Sequence, residues 1–150
     1  MKCELAAQVL RSFGTLRFAA TGWSMLPSLW PGETLVVERV SQDQVRVGDV
    51  VLVGRQGGFC AHRVVEKVDG ADAESLPWIT RGDALAVPDC SAAGDQFLGR
   101  VTYLLRGGQL VTLPSELGVI DTIIARVVRR SVPAARALVY LNGKRRTRQA

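Results

Sequence analysis

The stretch DVVLVGRQGGFCAHRVVEKV, residues 49–68, indicates the fold most directly. Two runs rich in branched and aromatic residues, 49–54 and 59–68, lie on either side of the turn-forming pair Gly57-Gly58, as in two strands joined by a tight turn. Side chains alternate along a strand, so His62 shares a face with Val64 and Glu66, and Arg63 lies on the other face.

The same pattern continues on both sides of this stretch. Further strand-like runs occupy residues 15–21, 33–40, 77–81, 97–106 and 109–113, and turns fall at Pro31-Gly32, Gly48-Asp49, Gly82-Asp83 and Gly107-Gly108. Many short strands at close spacing predict a mainly β fold, either a coiled antiparallel sheet or a small barrel.

Helical periodicity marks the two ends of the chain. Residues 4–13 carry apolar side chains at helical spacing before a C-capping Gly14. From Ser115 the period returns, with an apolar stripe at Leu117, Ile120, Ile124 and Val127, and Pro133 should kink or end that helix. We therefore divide the chain into an N-terminal helix (1–14), a β domain (15–114), a C-terminal amphipathic helical segment (115–141) and a basic tail (142–150).

Composition describes one globular domain with an uneven charge. The chain has 150 residues, 47% hydrophobic and 22% charged, and a net charge of +5, which is long enough to bury a core. Residues 122–150 hold eight Arg or Lys and no acid, so the remaining residues carry 11 basic and 14 acidic groups, a net charge of −3. The positive excess therefore lies at the C-terminal end.

Several classes of protein are disfavoured by composition. No apolar run approaches the roughly 18 residues of a spanning helix, and Glu4, Arg11 and Arg17 interrupt any signal-peptide core. Three scattered cysteines without a CxxC argue against a disulfide framework or a zinc site, and a single histidine excludes a multi-histidine metal site. We expect a reduced compartment, on the cytoplasmic side or at a membrane surface, with no cofactor and no metal.

Three segments carry chemistry when they are considered together. They are Gly22-Trp23-Ser24-Met25-Leu26-Pro27, Ala61-His62-Arg63-Val64, and Thr80-Arg81-Gly82-Asp83 followed by Asp89. Taken singly, a buried serine, a hydrogen-bonded histidine and a Gly-Asp turn are ordinary structural features. Their order along the chain, with Gly48-Asp49-Val50-Val51 between the first two, resembles the signal peptidase I superfamily.

The resemblance runs from about Gly22 to Val101 and implies a serine endopeptidase with a signal-peptidase-like or LexA-like β fold. Ser24-Met25-Leu26-Pro27 is similar to the nucleophile box of that family. Histidine in the third box, here His62, is similar to the endoplasmic-reticulum-type and archaeal enzymes, whereas most bacterial enzymes have lysine there. The two downstream acids of the family correspond to Asp83 and Asp89, and the triad role falls to Asp89.

These roles agree with the chemistry of the side chains. A serine hydroxyl needs an adjacent base, which His62 can supply, and an acid must then orient the imidazole. Asp89 is the expected acid, and Asp83 is the alternative or a support for the same loop. Some family members have a serine two residues before the nucleophile that stabilises the oxyanion; Gly22 stands there, so the backbone N–H of Ser24 must contribute more.

Two other mechanisms or functions remain open from the sequence. In a Ser–Lys dyad, as in bacterial signal peptidases and LexA-type self-cleaving proteins, the base would be Lys67, but an offset of five residues from His62 points it to the opposite face of a regular strand. A LexA-like self-processing protease, which would show autocleavage, is the first alternative function. A catalytically silent member of the superfamily that binds peptide is the second alternative.

The resemblance implies a peptide or preprotein substrate, cleaved after small residues as in secretory leaders. The basic C-terminal helix predicts peripheral contact with an anionic membrane, or else a helix packed on the β domain with a solvated arginine face. Nucleic acid is disfavoured as a partner, because no recognition motif or aromatic platform accompanies the basic cluster.

Overall fold

A computed structural model describes residues 2–55, 58–68, 76–89, 96–131, 133 and 136–141. Its elements are α1 (Lys2–Phe13), β1 (Thr15–Ala19), β2 (Thr34–Glu38), a 3-10 turn (Gln42–Gln44), β3 (Val50–Arg55), β4 (Gly58–Lys67), β5 (Trp78–Arg81), β6 (Gln96–Arg106), β7 (Gln109–Thr112) and α2 (Val119–Arg130). Each predicted strand is present. The basic tail, 142–150, lies outside the described residues.

All strand pairs are antiparallel, in the order β1-β2-β6-β3-β4-β5, and β7 pairs with the C-terminal half of β6. Register shifts interrupt the pairing of β2 with β6, of β6 with β3 and of β4 with β5. Such bulges bend and twist a sheet. In the part of the chain that the structure describes, the sheet stays open and does not close into a barrel.

Strand β3 is buried on both faces, which explains its continuous apolar sequence. Val50 and Leu52 belong to one hydrophobic cluster, which also takes Leu10 from α1, whereas Val51 and Val53 belong to a second cluster around Trp78. The hairpin of β3 and β4 therefore lies between two cores, and this fixes the backbone position of β4.

The N-terminal helix ends as predicted. Gly14 adopts a φ of +72°, and its N–H donates to the carbonyl of Leu10 at 3.0 Å. This left-handed cap suits glycine, since a side chain is strained there.

The C-terminal helix differs from the prediction in its start and in its apolar face. It begins at Val119 rather than Ser115 and ends at Arg130, before Pro133. Ala125 and Val128 are buried and Ile124 packs beside them, against Leu26 and Ala84 of the β domain, whereas Ile120 and Val127 of the predicted stripe are exposed. The stripe was misplaced because apolar residues occur on two sides of this helix. Residues 136–141 are helical as well. Among the described residues, no helix is long and apolar enough to cross a membrane.

Candidate active site

The segment around Ser24 is a compact loop between β1 and β2 whose apolar residues anchor it. Met25 and Leu26 are buried, the first in the cluster under α1 and the second beside Ala84 and α2. The N–H of Leu29 donates to the carbonyl of Met25 at 3.0 Å, and the Leu26–Pro27 peptide bond is cis. Because the two residues that follow it pack into different cores, Ser24 is held in a fixed, partly exposed position.

A hydrogen-bonded chain joins the three predicted catalytic side chains. Nε2 of His62 lies 2.9 Å from Oγ of Ser24, and Nδ1 of the same ring is hydrogen-bonded to Oδ2 of Asp89. With Nδ1–H donating to the carboxylate, Nε2 carries the lone pair that can accept the serine proton. The arrangement can therefore generate a nucleophilic alkoxide at Ser24.

Asp89 is itself held in place by Thr80, the third residue of β5. The Thr80 hydroxyl donates to Oδ2 of Asp89 at 2.8 Å, and the Asp89 N–H donates to the Thr80 carbonyl at 2.7 Å. Thr80 belongs to the Thr80-Arg81-Gly82-Asp83 motif, but the sequence analysis predicts no role for it. The available signal was a hydroxyl side chain at the end of a predicted strand, a few residues before the two candidate acids.

The electrostatics of the pair favour its charged form. Burial alone would lower the pKa of His62, but hydrogen bonds with Asp89 and Cys60, and electrostatic attraction to both, raise it to about 9. Burial would raise the pKa of Asp89, but hydrogen bonds from His62 and Thr80 and the nearby Arg55 guanidinium, 3.7 Å away, hold the pKa of that carboxyl below its usual value. Asp89 therefore stays ionised throughout the neutral range.

Asp83 lies in a separate buried cluster and does not touch His62. The Arg63 guanidinium donates through Nε and Nη2 to the two oxygens of Asp83, each at 2.8 Å, and Nη2 also reaches the Ser28 hydroxyl at 3.2 Å. Nη1 donates to the carbonyls of Gly48 and Pro114, each at 2.8 Å. These contacts hold Asp83 in place, away from His62, and sequence reasoning missed the parts that Arg63 and Ser28 play.

Gly82 brings this acidic segment against the nucleophile loop. The N–H of Ala84 donates to the carbonyl of Ser24 at 2.8 Å, and a Cβ added at Gly82 would lie 2.6 Å from that carbonyl oxygen. A side chain at position 82 would therefore displace Ser24. The Gly-Asp pair, predicted as a turn, has this packing requirement in addition.

Lys67 is placed away from the nucleophile. It lies at the far end of β4, opposite Trp78, and its exposed side chain lines a groove with Gln42 and Asp43. Ser24 lines a different cavity, so a Ser–Lys dyad between these two residues has no geometric support.

The cavity beside Ser24 has a volume of about 160 Å³. Its lining is mostly apolar and includes Phe18 and Phe59, whose rings meet edge to face at 5.1 Å, together with Gly22 and Cys60. A Cβ at Gly22 would meet nothing within 4 Å. Gly22 therefore leaves open space next to the nucleophile.

Cys60 adds a third metal-type donor to the His62–Asp89 pair. Its sulfur, one ring nitrogen of His62 and one oxygen of Asp89 all lie within 4.8 Å of one another. Sequence reasoning considered cysteine spacing alone and missed this group. The signal was the offset of two between positions 60 and 62, which places both side chains on one face of a strand.

No protein-family model matches the chain, and no curated protein matches it. The functional interpretation therefore depends on the chemistry of the site, since a fold by itself does not define an activity.

Proposed function

We propose that this protein is a serine endopeptidase of the signal-peptidase type, with Ser24 as nucleophile, His62 as general base and acid, and Asp89 as the residue that orients His62. The observation that carries the proposal is the continuous hydrogen-bonded chain from Ser24 Oγ through the His62 ring to the Asp89 carboxylate. Ser24 lies in the loop between β1 and β2, His62 in β4 and Asp89 after β5. The three side chains are therefore distant in sequence and meet only in the folded chain.

The reaction follows from this geometry. Ser24 Oγ attacks the scissile carbonyl while its proton passes to Nε2 of His62, and the resulting imidazolium is stabilised by Asp89. His62 then donates that proton to the leaving amine, which gives an acyl-enzyme on Ser24. A water molecule, deprotonated by His62, releases the acyl group and restores the serine hydroxyl. In this scheme the backbone N–H of Ser24 contributes to the oxyanion site, because Gly22 offers no hydroxyl.

The cavity beside Ser24 supports a substrate with a small, uncharged side chain on the acyl side of the scissile bond. Its walls are aromatic and aliphatic, and burying a charged group there without a partner would be costly. The preference for small residues such as alanine, as in leader and signal peptides, comes from the family resemblance.

A peptide-cleavage assay tests this function. Peptides with Ala-x-Ala before the scissile bond should be cut by the wild-type chain, and His62→Ala should abolish cleavage because the nucleophile loses its base. Lys67→Ala is the matched control on the same strand and should keep full activity. Full activity in His62→Ala would contradict the triad. Peptide binding without cleavage would support a silent binding module, and cleavage of the chain by itself would support a self-processing protease.

We propose in addition that the outer face of α2 contacts an anionic membrane surface. Four large apolar side chains are exposed on this helix, beside cations that favour acidic lipid; they are Val119, Ile120, Ile123 and Val127, and the cations are Arg126 and Arg130, whereas Arg129 donates to the Asp83 carbonyl at 3.1 Å. The inner face, with Ile124 and Val128, packs on the β domain. The two expected arrangements of this helix, contact with a membrane and packing on the β domain, are thus compatible, because they involve opposite faces of the helix.

Liposome flotation tests the membrane contact. The chain should float with anionic vesicles at low salt, and the exposed pair Ile120→Asp and Ile123→Asp should prevent it. Val47→Asp, which changes a similarly exposed residue away from α2, is the control and should float like the wild type. Failure of the wild type to bind anionic vesicles would contradict this part of the proposal.

A further inference from the structure

Cys60 takes no part in the proton transfers, yet its side chain lies at the centre of the site. Residues 60 and 62 share a face of β4 because strand side chains alternate. The Cys60 sulfur, a His62 nitrogen and an Asp89 oxygen converge to within 4.8 Å of one another. Cys60 also lines the cavity next to Ser24, so a small ion can reach the cluster from the substrate cleft.

The three donors form a set that suits zinc. Thiolate sulfur, imidazole nitrogen and carboxylate oxygen are its usual protein ligands, whereas magnesium and calcium need oxygen alone. Ligand atoms around tetrahedral zinc lie about 3–4 Å apart, as follows from bonds of about 2.0–2.3 Å. The three donor atoms lie at most 4.8 Å apart, so small rotations of the side chains can bring them to these separations.

We propose that Cys60, His62 and Asp89 bind zinc, or a divalent cation of the same chemical class, and that the bound ion switches the peptidase off. The second half of this statement depends on the proposed function. The Cys60 thiol loses its proton on binding, and water completes the coordination. An ion on the ring nitrogen that faces Asp89 would break the orienting hydrogen bond, and an ion on the nitrogen that faces Ser24 would occupy the base.

Cobalt binding to the full chain tests the site without any need for catalysis. After treatment with a chelator, Co²⁺ added to the wild type or to Ser24→Ala should produce a thiolate-to-cobalt charge-transfer absorption. Since loss of even an outer partner of a metal costs about 10–100-fold in affinity, loss of the thiolate in Cys60→Ala should weaken binding by about 100-fold or more and remove the absorption. Cys3→Ser is the matched control, because Cys3 is also a partly buried free cysteine.

The outcomes separate this inference from the proposed function. Persistence of the absorption in Cys60→Ala, its loss in Cys3→Ser or Cys90→Ser, or cobalt binding to the wild type without the absorption would overturn the site. In the peptide assay, Zn²⁺ should inhibit the wild type, a chelator should restore its rate, and Cys60→Ala should need a much higher Zn²⁺ concentration relative to its own metal-free rate. Cobalt binding in a chain that cleaves no peptide would leave the metal site in place and overturn both the switch and the peptidase assignment.

Discussion

Two polar clusters of similar composition are centred on neighbouring residues of β4, His62 and Arg63. Ser24, His62 and Asp89 form one, and Ser28, Arg63 and Asp83 form the other. Each takes a serine from the loop between β1 and β2 and an acid from the segment that follows β5. The difference is the central side chain, because an imidazole can accept and release a proton whereas a guanidinium stays charged.

The surroundings of the two clusters also differ, because the first of them borders a cavity. Ser24 lines a cavity of about 160 Å³, whereas Nη1 of Arg63 donates hydrogen bonds to the carbonyls of Gly48 and Pro114. The first cluster can receive a substrate, and the second ties the turn before β3 and the segment after β7 to the site. Under the proposed function, similar residue types would therefore serve catalysis in the first cluster and support in the second, because the two clusters differ in proton exchange and in access to substrate.

The largest expected effect comes from Asp89→Asn. An amide can donate to Nδ1, which favours the tautomer whose Nε2 cannot accept the serine proton, so kcat should fall by about 10⁴-fold, as is typical for triads. Thermal unfolding should change much less than in Asp83→Ala. A variant with normal kcat would show that the first cluster does not act as a triad.

Asp83→Ala should have the opposite profile. It leaves the Arg63 guanidinium buried without its carboxylate, which costs about 3–5 kcal/mol, or a fall of roughly 10 °C in Tm for a domain of this size. Calorimetry measures this loss. Replacing Asp83 without a change in Tm, while kcat falls as in Asp89→Asn, would mean that the two acids have been assigned the wrong way round.

Two glycines near Ser24 give a smaller and paired effect. Gly82→Ala would place a Cβ 2.6 Å from the Ser24 carbonyl oxygen, and relief of that overlap should cost about 1–3 kcal/mol and displace the nucleophile. At Gly22 a Cβ meets nothing within 4 Å. The free energy of unfolding of Gly22→Ala should therefore lie within about 0.5 kcal/mol of that of the wild type. Equal stability of the two variants would contradict the close approach of the 82–84 segment to Ser24.

The pH dependence of the activity gives the smallest effect, and it depends on the protonation of His62 in the first cluster. Only neutral His62 can accept the serine proton, so kcat/KM, measured with a chelator present, should rise with pH to a midpoint near the raised pKa of about 9. The groups that face this ring are Ser24, Asp89 and Cys60, with Arg55 beyond Asp89. Cys60→Ala should move the midpoint to lower pH, since it removes one cause of the raised pKa. An unchanged midpoint would contradict that electrostatic contribution.

Stability should depend on pH in the reverse direction at the same group. The pKa of His62 is higher in the folded chain than its ordinary value of 6.5, so the stabilisation from its protonated form is complete below pH 6.5 and is lost as the pH rises through about 9. His62→Ala should therefore flatten this part of the stability curve, as urea unfolding at several pH values can show.

Local patterns were sufficient to predict the strands and α1. Branched residues in short runs, with glycine and proline between them, marked every strand, and Gly14 marked the end of α1. The open sheet could not be distinguished from a barrel, because closure depends on bulges and long-range register that no local pattern records. The face of α2 was misplaced for a related reason, since apolar residues such as Ile120 and Ile124 point to different surroundings.

The three catalytic candidates were predicted from the order of their motifs, and their contact depends on pairings distant in sequence. Nothing local indicated that Asp89 would pair with Thr80 or that Arg63 would take Asp83. Those partners meet because β4, β5 and the serine loop converge, and only the folded chain shows it. The contact of Cys60 with Asp89 likewise depends on residues distant in sequence, whereas its place on the same strand face as His62 follows from their offset of two.

Covalent labelling tests the central claim most directly, namely that His62 activates Ser24. A fluorophosphonate, which reacts with an activated serine by losing fluoride, should form a single adduct on Ser24 as located by peptide mass spectrometry. The adduct should be absent in Ser24→Ala, greatly slowed in His62→Ala and formed at the wild-type rate in Lys67→Ala. Labelling of His62→Ala at the wild-type rate, or an adduct on another residue, would contradict the account.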